Sequence, residues 1–204
     1  RFQGGDFYRG IKTVMTIHNL KFQGAWSIPE IKAITGLPDY YFTDDKMEAY
    51  GCANYLKGGV VFADKVTTVS KTYAEEIQTP FYGEGLHMLM TQKAGNLVGI
   101  VNGIDYTDFN PETDPHIVQN YTVENFRKEK KKNKKALQSE LGLDESPNTM
   151  MIGIVSRLTD QKGFDLVNYV MEEICSDNIQ LVVLGTGTKE YEDTFRYYAE
   201  KYPN

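Results

Sequence analysis

The sequence predicts an α/β protein built on parallel sheets whose strands are covered by helices on both faces. Two observations support this fold class. Short apolar runs alternate with segments whose apolar residues repeat at helical spacing. Polar and glycine residues follow most of these runs directly, as they do at the ligand-binding edge of open α/β sheets. The 204 residues, 41% hydrophobic and 25% charged, have a globular composition.

Five segments are predicted to be strands because they are rich in β-branched and other apolar residues and are bounded by turn residues. They are nearly continuously apolar, which is typical of strands buried on both faces. In chain order they are residues 12–17, 65–70, 96–101, 149–155 and 179–184.

Helical patterns fill the intervals between these strands. One predicted buried face consists of Phe164, Val167, Val170, Met171 and Ile174. A second consists of Tyr191, Phe195, Tyr198 and Tyr202. Another helix is predicted over residues 122–141, ended by Gly142 as a left-handed cap with Leu143 folding back. Lys57, Gly58 and Gly59 are interpreted as a helix end with a flexible exit.

A boundary is predicted near residues 106–120, which are polar, contain two prolines and show no clear period. The cationic run at residues 127–135 follows it, with seven lysines and arginines among nine residues. We interpret this run as the solvated face of a helix, since nucleic-acid binding would require aromatic partners or a known motif.

Charge and hydropathy argue against several classes of partner. The net charge of −6 argues against a general polyanion binder, so no nucleic-acid partner is expected. No apolar run approaches the roughly 18 residues that cross a bilayer, so no membrane partner is expected either. The first ten residues lack the apolar core of a signal peptide. Cys52 and Cys175 are far apart, which indicates a reducing, cytoplasmic setting.

Functional-looking residues gather after the carboxyl ends of the predicted strands, where open α/β sheets bind their ligands. In chain order these residues are His18, Asn19, Lys71, Asn102, Gly103, Asp105, Arg157, Lys162 and the turn 185–187.

The most informative of these positions are Arg157 and Lys162, five residues apart in a segment that leads from a strand into a helix beginning near Lys162 and Gly163. Arginine offers a planar fork and lysine a compact charge, and the two together suit a diphosphate. The alternative is that both are surface cations paired with Asp160 and Asp165.

The remaining candidates are ambiguous from the residues alone. Residues 185–187 form a partial glycine-rich turn that would permit a nucleotide to approach, or simply a tight turn. His18 could line a site, although a lone histidine is more often structural. Asn102 and Gly103 could form only a type I′ or II turn.

Seven stretches together resemble the bacterial glycogen synthases and plant starch synthases, which are retaining α-1,4-glucan glucosyltransferases. These stretches are TIHNLKFQG (16–24), NYLKGGVVFADKVTTVSKTYAEEI (54–77), YGEGL (82–86), GIVNGIDY (99–106), FNPETD (109–114), GIVSRLTDQKG (153–163) and LVVLGTG (181–187).

The resemblance implies a fold of GT-B type, in which two Rossmann-like domains face a cleft. Residues 1–108 would be the later part of the N-terminal, acceptor-side domain. Residues 109–204 would be the interdomain linker and the first part of the C-terminal, nucleotide-sugar-binding domain. Both domains would be only partly present.

The resemblance also implies residue roles and partners. Arg157 and Lys162 would hold the phosphates, and His18 would line the donor-sugar site and stabilise positive charge on the sugar. Asn19 and Asn102 would bind the substrate, and Gly187 would lie near the nucleotide. The implied partners are ADP-glucose, in preference to UDP-glucose, and an α-glucan acceptor, with no cofactor or metal required.

Departures from the family pattern lead us to expect an internal fragment. The family's N-terminal glycine loop with its lysine, an acidic residue before the first strand and a C-terminal glutamate motif are not in this sequence. Lys71 stands where many relatives have proline, and His87-Met88 where they have an acidic residue and glycine. We expect the fragment alone to be inactive and to associate with itself. The alternatives are a non-catalytic sugar-nucleotide or glucan binder and another sugar-nucleotide glycosyltransferase of this fold.

Overall fold

A computed structural model of the chain describes residues 6–203, apart from the side chain of Arg9. The chain divides into two compact units between Ile104 and Asp105. The boundary drawn from the sequence follows residue 108. We refer to the described residues on either side of this division as the N-terminal and C-terminal units.

The N-terminal unit contains a parallel and an antiparallel sheet. Its strands are β1 (Val14–Ile17), β2 (Ala25–Ser27), β3 (Glu48–Ala49), β4 (Cys52–Asn54), β5 (Lys65–Thr68) and β6 (Leu97–Gly99). Its helices are α1 (Asp6–Arg9), α2 (Ile28–Thr35), α3 (Tyr55–Phe62), α4 (Lys71–Glu76) and α5 (His87–Gln92). The parallel sheet has the order β1-β5-β6, and the antiparallel sheet, which was not predicted, has the order β2-β4-β3.

The core of the N-terminal unit lies between the parallel sheet and its helices. Fully buried residues from β1, α3, β5 and α5 meet there, among them Ile17, Val60, Val66 and Met90. The parallel arrangement of the three strands follows from the helical connections between them.

The interpretation of residues 57–59 as a helix end was wrong, because both glycines lie inside α3. A Cβ on Gly58 would come within 2.7 Å of Met47, and one on Gly59 within 2.9 Å of the sulfur of Met15. These glycines therefore allow two methionine side chains to pack directly against the helix backbone.

The C-terminal unit contains a two-stranded parallel sheet and four helices. The strands are β7 (Met150–Val155) and β8 (Ile179–Leu184), and the helices are α6 (Phe126–Glu140), α7 (Phe164–Tyr169), α8 (Met171–Ser176) and α9 (Lys189–Lys201). All five strands predicted from the sequence are therefore present, and both sheets that contain them are parallel.

The ends of the helices in the C-terminal unit follow local chemistry. Gly142 has a φ of 68°, as predicted. The Leu143 N–H donates to the Gln138 carbonyl at 2.9 Å, which completes a Schellman cap on α6. The predicted stripe from Phe164 to Ile174 is not one helix, because Val170 separates α7 from α8. Phe164 nevertheless packs against α9, with 5.7 Å between its ring centroid and that of Phe195.

The expectation that every strand is covered on both faces was wrong. Val155 and Leu184, register partners at the ends of β7 and β8, are 81% and 67% exposed. Within residues 6–203, no helix is long and apolar enough to cross a membrane. Cys52 and Cys175 are both free thiols.

Candidate functional site

The loops that follow β7 and β8 run side by side beyond the end of their sheet. The Ser156 N–H donates to the Leu184 carbonyl at 3.1 Å, and the Leu158 N–H donates to the Thr186 carbonyl at 2.9 Å. The Thr188 N–H donates to the Leu158 carbonyl at 2.8 Å. The two loops therefore form one unit, and the segment that bears Arg157 is fixed to the glycine turn at 185–187.

The glycines of this turn are required by the neighbouring loop. A Cβ on Gly185 would lie 1.9 Å from the Ser156 carbonyl oxygen, and one on Gly187 would lie 2.2 Å from the Leu158 carbonyl oxygen. No side chain fits at such distances. The absence of a side chain at Gly187 thus serves contact between the two loops, whereas the sequence reading considered approach by a nucleotide or a tight turn.

Arg157 and Lys162 are exposed on a loop anchored at both ends. Leu158 and Phe164 are each only 2% exposed, and Gly163 has a φ of 75°. Asp160–Lys162 forms a 3₁₀ turn, so the regular helix α7 begins at Phe164, slightly later than predicted. The buried anchors hold the backbone while both cationic side chains remain in solvent.

The alternative that these cations pair with nearby carboxylates is not observed. Among residues 6–203, no carboxylate oxygen lies within 4.0 Å of the charged nitrogens of Arg157 or Lys162. Asp160 and Asp165 instead lie near Tyr191, where burial first and then these carboxylates raise the pKa of the phenol. The loop therefore presents two cations that form no ion pair within residues 6–203.

A further charged residue that the sequence analysis did not single out contacts the glycine turn. The Gly187 N–H donates to Glu192 Oε1 at 2.9 Å. Arg196 Nη2 donates to the other oxygen of the same carboxylate at 3.0 Å. The Gly187 and Arg196 donors hold the pKa of Glu192 below its ordinary value, so this residue is ionised at neutral pH.

In the N-terminal unit, His18 and Asn19 follow β1 in a fixed turn. The Asn19 side-chain oxygen accepts the Lys21 N–H at 3.0 Å. Leu20 is fully buried and its N–H donates to the Tyr73 hydroxyl at 3.0 Å, which ties the turn to α4. His18 is exposed beside these anchors, so its ring is available to a ligand.

The ends of β5 and β6 complete this edge of the sheet. The Ser70 hydroxyl accepts the Tyr73 N–H at 2.9 Å and caps α4, whose first residue, Lys71, takes the helix position that also suits proline. A Cβ on Gly99 would lie 2.0 Å from the Ser70 carbonyl oxygen, so β6 approaches this turn closely. Asn102 is exposed three residues after β6.

The predicted site residues thus form two groups. His18, Asn19 and Asn102 follow strands of one parallel sheet in the N-terminal unit, on either side of central β5. Arg157, Lys162 and Gly187 lie on the joined loops of the C-terminal unit. Across the described residues, no cluster of three or more His, Cys, Asp or Glu side chains could hold a metal ion.

Comparison with known proteins finds similarity to glycogen and starch synthases. A family model described as the starch synthase catalytic domain matches residues 1–92. A glycogen synthase of Lachnospira eligens is 64% identical over 202 residues, which are 99% of this chain and 42% of that protein. A glycogen synthase of Lachnoclostridium phytofermentans is 60% identical over 98% of this chain, again 42% of its length. The chain therefore spans well under half of these relatives.

A solved structure supports the same assignment at the level of the fold. The catalytic domain of starch synthase IV from Arabidopsis thaliana, bound to ADP and acarbose, is similar with a TM-score of 0.85 and 30% sequence identity. The match covers 94% of this chain and 40% of that structure, so both units have counterparts in the starch synthase fold. The chain is thus similar along nearly its whole length to glycogen synthases and to a starch synthase catalytic domain, whose fold is of GT-B type.

Proposed function

We propose that this chain is part of a glucosyltransferase that moves glucose from ADP-glucose to the non-reducing end of an α-1,4-glucan, with retention at the anomeric carbon. The observation that carries the proposal is the pair of exposed cations Arg157 and Lys162 on an anchored loop, neither of which forms an ion pair with the described residues. ADP and acarbose in the starch synthase IV structure agree with this choice of ligands. The 64% identity to a glycogen synthase supports the same reaction.

In the proposed reaction, the bond between the anomeric carbon and the phosphate oxygen breaks, the oxygen of a glucan hydroxyl bonds to that carbon in its place, and the hydroxyl proton passes to the departing phosphate. The leaving diphosphate gains negative charge while the sugar gains positive charge. Arg157 and Lys162 lie on a loop already fixed by hydrogen bonds, so they stabilise the leaving group without much rearrangement. We assign the phosphates to these two residues and the nucleotide to the neighbourhood of Gly187.

The N-terminal unit would contribute the contacts to the sugar. We assign His18 to the donor-sugar site, where it helps to stabilise the developing positive charge. Asn19 and Asn102 supply hydrogen bonds to the glucose. The side chain of Asn19 already accepts a hydrogen bond from the Lys21 N–H, so its amide NH₂ is the group left for substrate. The N-terminal unit would also serve the acceptor, and the C-terminal unit the nucleotide.

The experiment that tests this proposal measures incorporation of labelled glucose into glycogen by the complete natural polypeptide that contains these 204 residues. ADP-glucose and UDP-glucose are offered in parallel. We expect transfer from ADP-glucose. Transfer from UDP-glucose alone would contradict the donor, and transfer from neither would favour another sugar-nucleotide enzyme or a non-catalytic binder.

Substitution of the two cations tests the residue assignment. In the complete polypeptide, Arg157→Ala and Lys162→Ala should each lower turnover by about 100-fold or more, because a preorganised charge is removed from the leaving group. Lys131→Ala is the matched control, since Lys131 is another exposed cation of the C-terminal unit, on α6. Normal turnover in Arg157→Ala and Lys162→Ala would contradict the assignment.

A further inference from the structure

Glu192 accepts a hydrogen bond from the Gly187 N–H, which points away from the loop that bears Arg157. The other nearby backbone groups are used between the loops: the Thr186 carbonyl accepts from Leu158, and the Thr188 N–H donates to the Leu158 carbonyl. The Gly187 N–H instead meets the Glu192 carboxylate at 2.9 Å. A negatively charged group of the protein therefore already fills this position.

The position of this N–H is suited to an external anion. It lies just before α9, a helix of 13 residues, whose first turn carries a partial positive charge. Leu158, the direct bridge partner of Gly187, is the residue next to Arg157. Gly187 directly precedes Thr188, the N-cap of α9, and pairs with the loop that carries Arg157 and Lys162, which have no ion-pair partner among residues 6–203. Phosphate is favoured near a helix N-terminus with cations close by. Glu192 thus stands where an anionic ligand would gain a hydrogen bond.

The surroundings of Glu192 also provide a second place for its charge. Arg196 lies one turn further along α9 and holds the other carboxylate oxygen at 3.0 Å. The Glu192 side chain is 22% exposed and that of Arg196 is 67% exposed, so solvent reaches both partners of this ion pair. When the bond to Gly187 is released, the carboxylate can remain with Arg196 and need not be left unpaired.

We infer that Glu192 sets the nucleotide affinity of this site. Its carboxylate accepts the Gly187 N–H until the diphosphate of a nucleotide displaces it, and the carboxylate then remains paired with Arg196. This inference rests on the proposed function, because it assumes that the diphosphate binds at these loops. The Glu192 carboxylate lowers the apparent affinity for the nucleotide, because its hydrogen bond to the Gly187 N–H must break before the diphosphate can bind there. It also keeps the turn in order when the site is empty.

The test compares Glu192→Gln with the unchanged complete polypeptide by titration calorimetry against ADP and against adenosine. Glutamine keeps the size and one acceptor oxygen but removes the charge. We expect Glu192→Gln to bind ADP about three- to tenfold more tightly, with adenosine affinity unchanged because adenosine has no phosphate. Asp193→Asn is the matched control: Asp193 pairs with Lys189 and Arg196 but is not hydrogen-bonded to Gly187. It should change ADP affinity by less than about twofold.

A second variant keeps the inference testable if Glu192→Gln does not fold. Arg196→Gln removes the alternative partner of the carboxylate, so it should weaken ADP binding and leave adenosine binding unchanged. Unchanged or weaker ADP binding by folded Glu192→Gln, or equal tightening in Asp193→Asn, would overturn the inference while leaving the proposed function intact. Failure of the unchanged polypeptide to bind ADP would overturn the proposed function as well.

Discussion

At the scale of single residues, the backbone contact between the two loops of the C-terminal unit depends on glycine. A Cβ at residue 187 would overlap the Leu158 carbonyl oxygen, whereas a Cβ at Gly153 meets nothing within 4 Å. Gly187→Ala should therefore force the loops apart and lower the free energy of unfolding by about 1–3 kcal/mol. It should also weaken ADP binding, because Arg157 moves with its loop. Urea unfolding and ADP titration of the complete polypeptide measure both effects.

The matched control for this prediction is Gly153→Ala, a substitution in β7 of the same unit. It should leave ADP affinity unchanged, because nothing obstructs the added methyl group. Equal stability and ADP affinity in Gly187→Ala and the unchanged polypeptide would show that the loops tolerate separation.

Sequence alone could place the candidate site residues at strand ends, but not their contacts. Arg157 and Lys162 were predicted to share a loop because they follow an apolar run, and the structure agrees. The hydrogen bond between the Gly187 N–H and Glu192 was missed because it connects a turn to a helix through a side chain. The only signal for it was a glutamate five residues after the second glycine of the turn, a spacing common in ordinary helices.

At the scale of elements, helices α8 and α9 are joined by a charged cluster. Lys201 Nζ donates to both oxygens of Glu172 at 2.7 Å, and the Tyr202 hydroxyl donates to the same carboxylate. Tyr198 and Tyr202 stack nearly parallel beside it, with their centroids 6.4 Å apart. The C-terminal turn of α9 is therefore held to α8 by one carboxylate.

This cluster predicts an acid-sensitive end of α9. Lys201 first and then Tyr202 hold the pKa of Glu172 below its ordinary value of 4.5. A depressed folded-state pKa means that the contribution of this contact is present above about pH 4.5 and is lost as the pH falls through the folded-state pKa. Amide-exchange protection factors at residues 198–202 should therefore decrease as the pH falls through the folded-state pKa of Glu172.

Two substitutions separate this contact from general acid effects. Glu172→Gln should show lower protection at neutral pH and little further loss in acid. Glu173→Gln is the control, because the neighbouring Glu173 side chain is exposed and forms no ion pair within the described chain. Identical acid profiles for Glu172→Gln and the unchanged chain would exclude a role for this carboxylate.

Long elements were easier to predict than short ones. The five parallel strands were found because each lies in a short run rich in β-branched and other apolar residues and bounded by turn residues. The antiparallel sheet was missed because its strands have only two or three residues. Its hairpin depends on Tyr50 and Gly51, which have φ values of 54° and 79°, and tyrosine gives no signal for such a turn. Gly58 and Gly59 were misread since their packing partners, Met47 and Met15, are distant in sequence.

At the scale of the whole molecule, both parallel sheets expose apolar residues to solvent. In the C-terminal unit, Val155 and Leu184 form an exposed apolar pair at the ends of β7 and β8. Val155 precedes Arg157 by two residues in the sequence. In the N-terminal unit, Val14 and Val98 are exposed strand residues as well. Strands at the edge of a sheet that expose apolar residues favour association with further strands.

We therefore expect the 204-residue chain, prepared alone, to self-associate as its concentration rises, and to transfer no glucose at enzymatic rates. Val155→Thr combined with Leu184→Thr should reduce the association measured by sedimentation velocity, because the exposed apolar pair loses hydrophobic surface. Ile34→Thr is the control, since Ile34 is similarly exposed but lies on helix α2 and not on a strand. A monomeric chain at every concentration would contradict this prediction. Enzymatic transfer by the isolated chain would show that these two units suffice for catalysis, and the sugar and phosphate residues assigned above would then have to act without any further segment.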